Sequence, residues 1–258
     1  MKISIISLFP KMIEGFFNES IIRKASNRGL VEIEVINLRD FALDSYGTVD
    51  DRPYGGGAGM VLRVEPILNA LQKIKNQRSK IKTTKINQKT ILTSAKGKRY
   101  NQAKAREYSK LDQIIIIAGH YEAVDERVLG FIDEEVSLGD FIMTGGEIPA
   151  AAICDSVVRL LPGVLKKEEA TQTESFWEMK VEKLIKICGK DEVLSSLQKK
   201  RIEKVQLLEY PHYTRPADFM SMTVPESIMK GNHQTIANWR IKQAYEQTRK
   251  KRPDLLDK

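Results

Sequence analysis

QIIIIA, residues 113–118, sets four consecutive isoleucines between a glutamine and an alanine. β-Branched side chains favour extended backbone, and an apolar run without polar alternation reads as a strand buried on both faces. Around it the chain alternates. Residues 2–7 and 31–38 read as strands, separated by a helical stretch over 11–28 that Gly29 stops. A helix begins near Glu65, 90–93 reads as a strand, 101–109 as a helix and 136–138 as a short strand. Pro149 opens a helix to Leu161, which Pro162–Gly163 ends. Strands alternating with helices predict a mainly parallel α/β sheet with covered faces.

The character changes after Gly163. Residues 179–206 are lysine-rich and helix-prone, without strong strand signals, and 232–252 reads as an amphipathic helix carrying Ile236, Trp239 and Tyr245, closed by Pro253. The expected organisation is an α/β domain over 1–165, a connector over 166–209 with a lysine-rich helical insertion, and a small helical domain over 210–258.

A chain of 258 residues, 41% of them hydrophobic, can bury a substantial core. No apolar run reaches transmembrane length, and the first residues suit a buried strand better than a signal peptide. Two cysteines, Cys154 and Cys188, cannot form a disulfide framework, which points to a reduced, cytoplasmic protein without a membrane partner. The net charge of +8 is unevenly spread. Residues 71–110 hold 13 Lys/Arg against one acid, 111–150 hold nine acids against one base, and 230–252 hold seven bases against one acid. Basic segments around an acidic middle suggest a polyanion-binding surface with a distinct site between.

DDRPYGGGAGM, residues 50–60, packs four glycines and a proline into eleven residues, more backbone freedom than an ordinary connection needs. SAKGKR (94–99), AGHYEAVDER (118–127) and SLGDFIMTGGEIPA (137–150) each follow an expected strand, where open α/β sheets bind ligands. Their glycines would let backbone approach a flat ligand closely. None matches the dinucleotide or P-loop pattern, which disfavours a nicotinamide or ATP site.

DDRPYGGGAGM, GHYEAVDERV, SLGDFIMTGGEIPA, DSVVRLLPGVL and PHYTRP, in this order, resemble the bacterial tRNA (guanine-N(1)-)-methyltransferase family. The resemblance runs from Met1 to about Phe176 and resumes from about Tyr210 to Leu256. It implies a SPOUT-class fold with a deep trefoil knot at the end of the first domain, against the general rarity of knots. It also implies an obligate homodimer with the active site at the subunit interface. The implied reaction is S-adenosylmethionine-dependent methylation of N1 of the guanosine 3′-adjacent to the anticodon in tRNA, which supports reading-frame maintenance.

By resemblance, the methyl donor is held by Leu92, Thr93, Ser94, Gly97, Gly119, Tyr121, Glu122, Ser137, Leu138, Gly139, Asp140, Phe141, Ile142, Met143, Gly145, Gly146 and Pro149. Phe141 stands where the family more often has tyrosine. Packing alone would equally account for Tyr121 and Phe141, and a salt bridge to Arg127 or a lysine for Glu122. Arg159, on a helix otherwise rich in apolar residues, would stabilise charge on the guanine oxygen; a helix-surface ion pair is its other reading. Glu174 occupies the position of the family's proposed base, an aspartate, with Glu168 and Glu169 as nearby alternatives. The family's magnesium is implied by resemblance only; no compact carboxylate cluster calls for a metal.

The guanine and its RNA are expected against Asp50, Tyr54, Gly55, Gly56, Gly57 and Gly59, with Ala58 where the family often has proline, and against His212, Tyr213, Arg215 and His233. Arg240, Lys242, Arg249, Lys250 and Arg252 add charge on the last helix. Aromatic and basic groups together suit a partly unstacked RNA loop. The stretch between Phe176 and Tyr210 is roughly two dozen residues longer than the resemblance leads one to expect. Two other functions stay open: a SPOUT enzyme acting on another RNA, and an RNA-binding module without turnover, motivated by Glu174.

Overall fold

The computed structural model describes residues 1–79, 86–166 and 173–256, with only backbone for 77–79. Glu168 and Glu169 lie outside the described residues. The chain divides into two compact units, Met1–Lys166 and Lys167–Lys258.

The first unit opens with β1 (Lys2–Ser7), α1 (Lys11–Phe17) and α2 (Ser20–Asn27). The single helix expected over 11–28 is therefore broken. Asn18 ends α1, Glu19 is extended at φ −127°, ψ 163°, and Ser20 has φ +53°. The break resets the helical phase: Ile13 and Phe17 face the core from α1, Ile22 and Ala25 from α2. An unbroken helix would carry that stripe through 20 or 21 and 24 instead.

The chain continues through β2 (Glu32–Asn37), β3 (Asp50–Asp51), β4 (Val61–Leu62), α3 (Val64–Ser79), β5 (Gln88–Arg99) and α4 (Gln102–Tyr108). Then come β6 (Gln113–Ala118), β7 (Ala123–Val124), β8 (Glu134–Ser137) and α5 (Glu147–Val158). The main sheet has the order β2-β1-β6-β5-β8 with every pair parallel, the α/β architecture expected from the alternation. The isoleucine strand is its centre and every residue of β6 is buried. Ile114 and Ile116 join the cluster under α1, α2 and α5, while Ile115 and Ile117 join the cluster under α3. Each fully buried isoleucine contributes roughly 1.5–3 kcal/mol, so this strand holds both layers to one sheet.

SAKGKR differs from its reading as a loop. It is a bulged continuation of β5, whose register against β8 shifts between Thr93 and Lys98. Gly97 permits the bulge: a Cβ there would lie 2.4 Å from the Val136 amide nitrogen. A bulge re-aims a strand end, here toward the carboxyl edge of the sheet.

The second unit contains β9 (Trp177–Lys180), α6 (Val181–Cys188), α7 (Glu192–Lys199), β10 (Lys204–Leu207), β11 (Asp218–Phe219), β12 (Met222–Thr223), α8 (Glu226–Met229) and α9 (His233–Lys251). The lysine-rich 179–206 stretch thus carries strand at both ends, and β9 pairs antiparallel with β10. Met179 and Val181, with Val205 and Leu207, turn inward on alternate positions, a pattern too short to stand out in the sequence. Together with Leu184, Leu194 and Leu197 they share one cluster with Ala244, Tyr245 and Leu256, so 166–209 and 210–258 contribute to the same core. Asp191 ties this unit together: its carboxylate accepts from the Leu194 amide (2.8 Å), the Tyr245 hydroxyl (2.8 Å) and Arg249 (3.1 Å).

In the first unit the corresponding clamp is Glu134 on β8. It accepts from Lys104 (2.9 Å), Lys89 (3.1 Å) and the hydroxyl of fully buried Tyr108 (2.9 Å). Burial pushes the Glu134 carboxyl up, but the bonds from Lys104, Tyr108 and Lys89 outweigh it and hold the group below its ordinary value. A depressed folded pKa contributes stability above the unfolded pKa of about 4.3, lost as pH falls through the folded value. Glu134→Gln is therefore expected to cost about 2 kcal/mol at pH 7 by urea unfolding. That gap should close as the pH is lowered to about 3. A gap that stays constant over this range would rule out the clamp.

Candidate active site

β6, β5 and β8 are adjacent and parallel, so their carboxyl ends reach one edge of the sheet. There the segments that follow them enclose a cleft of about 250 Å³. Leu92, Thr93 and Ser94 enter it from β5, and Gly119, Tyr121 and Glu122 from the turn after β6. Ser137, Leu138, Gly139, Phe141, Ile142 and Met143 line it from β8 onward, followed by Gly145, Gly146 and Pro149 at the start of α5. Of the donor residues expected from the sequence, Gly97 and Asp140 do not line it. Gly97 sits in the β5 bulge, and Asp140 pairs with Arg99 on the exposed surface.

Two loops meet backbone to backbone beneath this cleft. The Gly146 amide donates to the Gly119 carbonyl at 2.5 Å, and His120 bridges Gly145. The Thr93 hydroxyl lies between them, accepting from the Gly119 amide at 3.3 Å and within 3.2 Å of the Ile117 and 3.3 Å of the Gly146 carbonyl. A Cβ on Gly146 would fall 2.0 Å from the Thr93 hydroxyl and 2.6 Å from the Gly119 nitrogen, so only glycine fits. Tyr121 adopts φ +59°, a left-handed conformation that costs a non-glycine residue energy and is held by its surroundings. Its ring stands edge-on to His120 at 5.0 Å.

A polar network supports these loops. Glu147, fully buried in the first turn of α5, accepts from the Ser7 hydroxyl at 2.9 Å and meets His120 Nδ1 at 3.2 Å. Ser7 in turn accepts from the Phe9 amide. Sequence reading did not single out Ser7 or His120, because the contacts join positions up to 140 residues apart. It also missed Lys96, Glu126 and Glu135, which line the cleft. A carboxylate opening the largely apolar helix from Glu147 was the one local signal for the network.

The glycine-rich stretch connects β3 to β4, which pair antiparallel, and β4 lies parallel to β7 directly after the Tyr121 turn. Gly55, Gly56, Gly57 and Gly59 all have positive φ. Gly59 also has no room for a side chain: a Cβ would lie 2.3 Å from the Glu122 side chain. The loop therefore ends against a residue of the cleft. Asp50 is half-buried on β3, and Tyr54 projects fully into solvent.

Arg159 is half-buried at the C-terminal end of α5, its amide bonded to the Asp155 carbonyl at 3.1 Å. Glu174 is half-buried in the second unit, its carbonyl accepting from the Trp177 amide at 3.1 Å. In that unit Tyr210 packs against His212 at 4.7 Å, Tyr213 against Trp239 at 6.3 Å, and Arg240 lies over the Tyr210 ring at 4.9 Å. His212 pairs with Glu209 at 2.8 Å. Arg215 is exposed before a cis proline, and His233 starts α9. Among the described residues, no group of three or more His, Cys, Asp or Glu side chains is arranged to hold a metal ion.

A family model described as tRNA (Guanine-1)-methyltransferase TrmD matches residues 1–258. The tRNA (guanine-N(1)-)-methyltransferase of Dictyoglomus turgidum is 44% identical over 259 residues, covering 100% of this chain and 91% of its own length. That of Carboxydothermus hydrogenoformans is 45% identical over 257 residues, covering 99% of this chain and 87% of its own. That of a Sulfurihydrogenibium species is 45% identical over 258 residues, covering 100% and 88%. With a model matched across the full sequence and relatives this similar over nearly their whole length, the chain belongs to the tRNA (guanine-N(1)-)-methyltransferase family.

Proposed function

We propose that this chain transfers the methyl group of S-adenosylmethionine to N1 of the guanosine 3′-adjacent to the anticodon of tRNA, position 37. The observation that carries the reading is the convergence of the β5, β6 and β8 ends on one glycine-walled cleft. Its size and its lack of room for side chains at Gly145 and Gly146 suit a flat adenosine held close to the backbone.

Methyl transfer from a sulfonium needs the ring nitrogen in line with the methyl group, so positioning supplies much of the rate. The residues expected to hold the donor are those lining the cleft, with Glu122 facing its α-ammonium. Gly97 acts indirectly through the bulge, and Asp140 through its pairing with Arg99. N1 of neutral guanine carries a proton that a base must remove, a role assigned to Glu174. Arg159 then meets the negative charge that grows on the guanine oxygen. Asp50 and the loop from Tyr54 to Gly59 form the guanine wall. The aromatic cluster of Tyr210, His212 and Tyr213, with Arg215 and His233, contacts the RNA. No group of three or more metal-ligating side chains is arranged among the described residues to hold magnesium, and no step is assigned to it.

The first unit is the donor-binding domain, and its strand-end loops are proposed to form the deep trefoil knot. A homodimer completes the site, supported by exposed Phe9, Met12, Phe16, Ile21, Ile142 and Ile148 in the first unit. The enzyme is assigned to the cytoplasm, with its tRNA. No helix among the described residues is long and apolar enough to cross a membrane.

The test is incubation of the purified protein with labelled methyl donor and a transcript bearing guanosine at that position. Label at N1 of that base is expected; label in another RNA or on ribose, or tight binding without turnover, would replace the reading. Arg159→Ala should lower the single-turnover rate by about 10²–10³ with little change in donor affinity. Glu174→Gln should lower it by about 10² or more, and a full single-turnover rate in that variant would remove Glu174 as the base. Gly146→Ala should weaken donor binding by about tenfold or more in calorimetry, because the two loops must part.

A further inference from the structure

β8 presents two adjacent acids to opposite faces of the sheet. Glu134 is satisfied by Lys89, Lys104 and Tyr108. Glu135 is not: its Oε1 is buried without a hydrogen-bond partner among the described residues. Glu135 lies in register with Leu92 of β5 and lines the cleft. Ala95, Lys96, Glu126 and Leu129 line the cleft with it. The Lys96 ammonium is already engaged by Glu126 at 2.9 Å. A carboxylate oxygen withdrawn from water and left without a donor is costly, and such groups in native folds call for an explanation.

We propose that Glu135 is a specificity-determining residue of the methyl-donor site, its carboxylate accepting from the ribose hydroxyls of the donor. The inference rests on the functional reading above. The adenine edge can pair with backbone groups and the ammonium is assigned to Glu122. The ribose offers two neutral O–H donors on neighbouring carbons, which the two oxygens of a carboxylate can accept together. A neutral hydroxyl also loses less hydration than a cation beside Leu92 and Leu129. Glu122 follows β6 and Glu135 lies on β8, with β5 between them in the sheet, so the two carboxylates line different parts of the cleft.

The experiment titrates S-adenosylhomocysteine and its 2′-deoxy and 3′-deoxy analogues into the full-length wild type, Glu135→Gln and Glu135→Asp, with thermal melting to confirm folding. In the wild type, loss of the recognised hydroxyl is expected to weaken binding about ten- to a hundredfold, as is Glu135→Gln with the parent ligand. In both variants the hydroxyl should then matter about threefold or less. An undiminished hydroxyl effect in Glu135→Gln overturns the proposal while leaving the functional reading intact. A wild type that binds none of the three ligands overturns both. Glu135→Asp keeps the charge and shortens the reach; if it alone restores wild-type hydroxyl dependence, charge rather than contact is responsible and the proposal fails.

Discussion

The close approach of Gly146 to Gly119 is the constraint on which the cleft depends. Two loops separated in sequence by β7 and β8 share one backbone hydrogen bond, with the Thr93 hydroxyl wedged beside it. A side chain at position 146 would separate them. Once they touch, both loops line one cleft, and α5 begins at a defined point. Glu147 then falls where Ser7 and His120 can reach it. A fully buried carboxylate is tolerated because both its oxygens have partners, and those partners come from β1 and from the turn after β6. The network thus ties the first strand of the sheet to the two loops that form the floor.

Much of this frame was legible in the sequence for simple reasons. Four isoleucines in a row leave no polar face, so β6 had to be central. Glycines after successive strands marked the places where backbone must approach closely. The break between α1 and α2 was not legible, because it answers to the phase in which Ile22 and Ala25 meet the core, a tertiary requirement. The β5 bulge was hidden for a related reason. Gly97 reads as a turn glycine, yet its role is to let Val136 come close. Ser7, His120 and Glu135 escaped attention because their meaning lies in what they face across the fold, and no spacing encodes that.

The second unit separates charge from core in a way composition alone could not convey. Its lysines suggested a solvated or RNA-facing surface, and Lys183, Lys186, Lys190 and Lys199 are indeed exposed. Beneath them Leu184, Leu194 and Leu197 are buried against α9 residues. Desolvation acts against ionisation of the Asp191 carboxyl, but bonds from the Leu194 amide, Tyr245 and Arg249 hold it below its ordinary range. The same acid therefore caps α7 and anchors α9, so the lysine-rich helices are fixed relative to the helix that carries Trp239 and Arg240. Rings at 4.7–6.4 Å with a guanidinium over one of them form a single aromatic and basic cluster against that helix.

Strand alternation explains how β8 serves both stability and chemistry. Residues at i and i+2 share a face, so Glu134 and Val136 turn toward the α4 and α5 layer, while Glu135 turns toward Leu92 and the cleft. On the first face an acid is surrounded by two ammonium groups and a phenol, and it closes the structure. On the second it meets apolar neighbours and a lysine already engaged elsewhere, and one of its oxygens is left without a protein donor. A one-residue slip would exchange these roles, exposing Glu134 to the cleft and burying Glu135 among groups placed for its neighbour. The parallel pairing with β5 fixes the register that prevents it, and the bulge at Gly97 lets that pairing continue to Ser137, so the fold and the cleft wall are set by the same ladder.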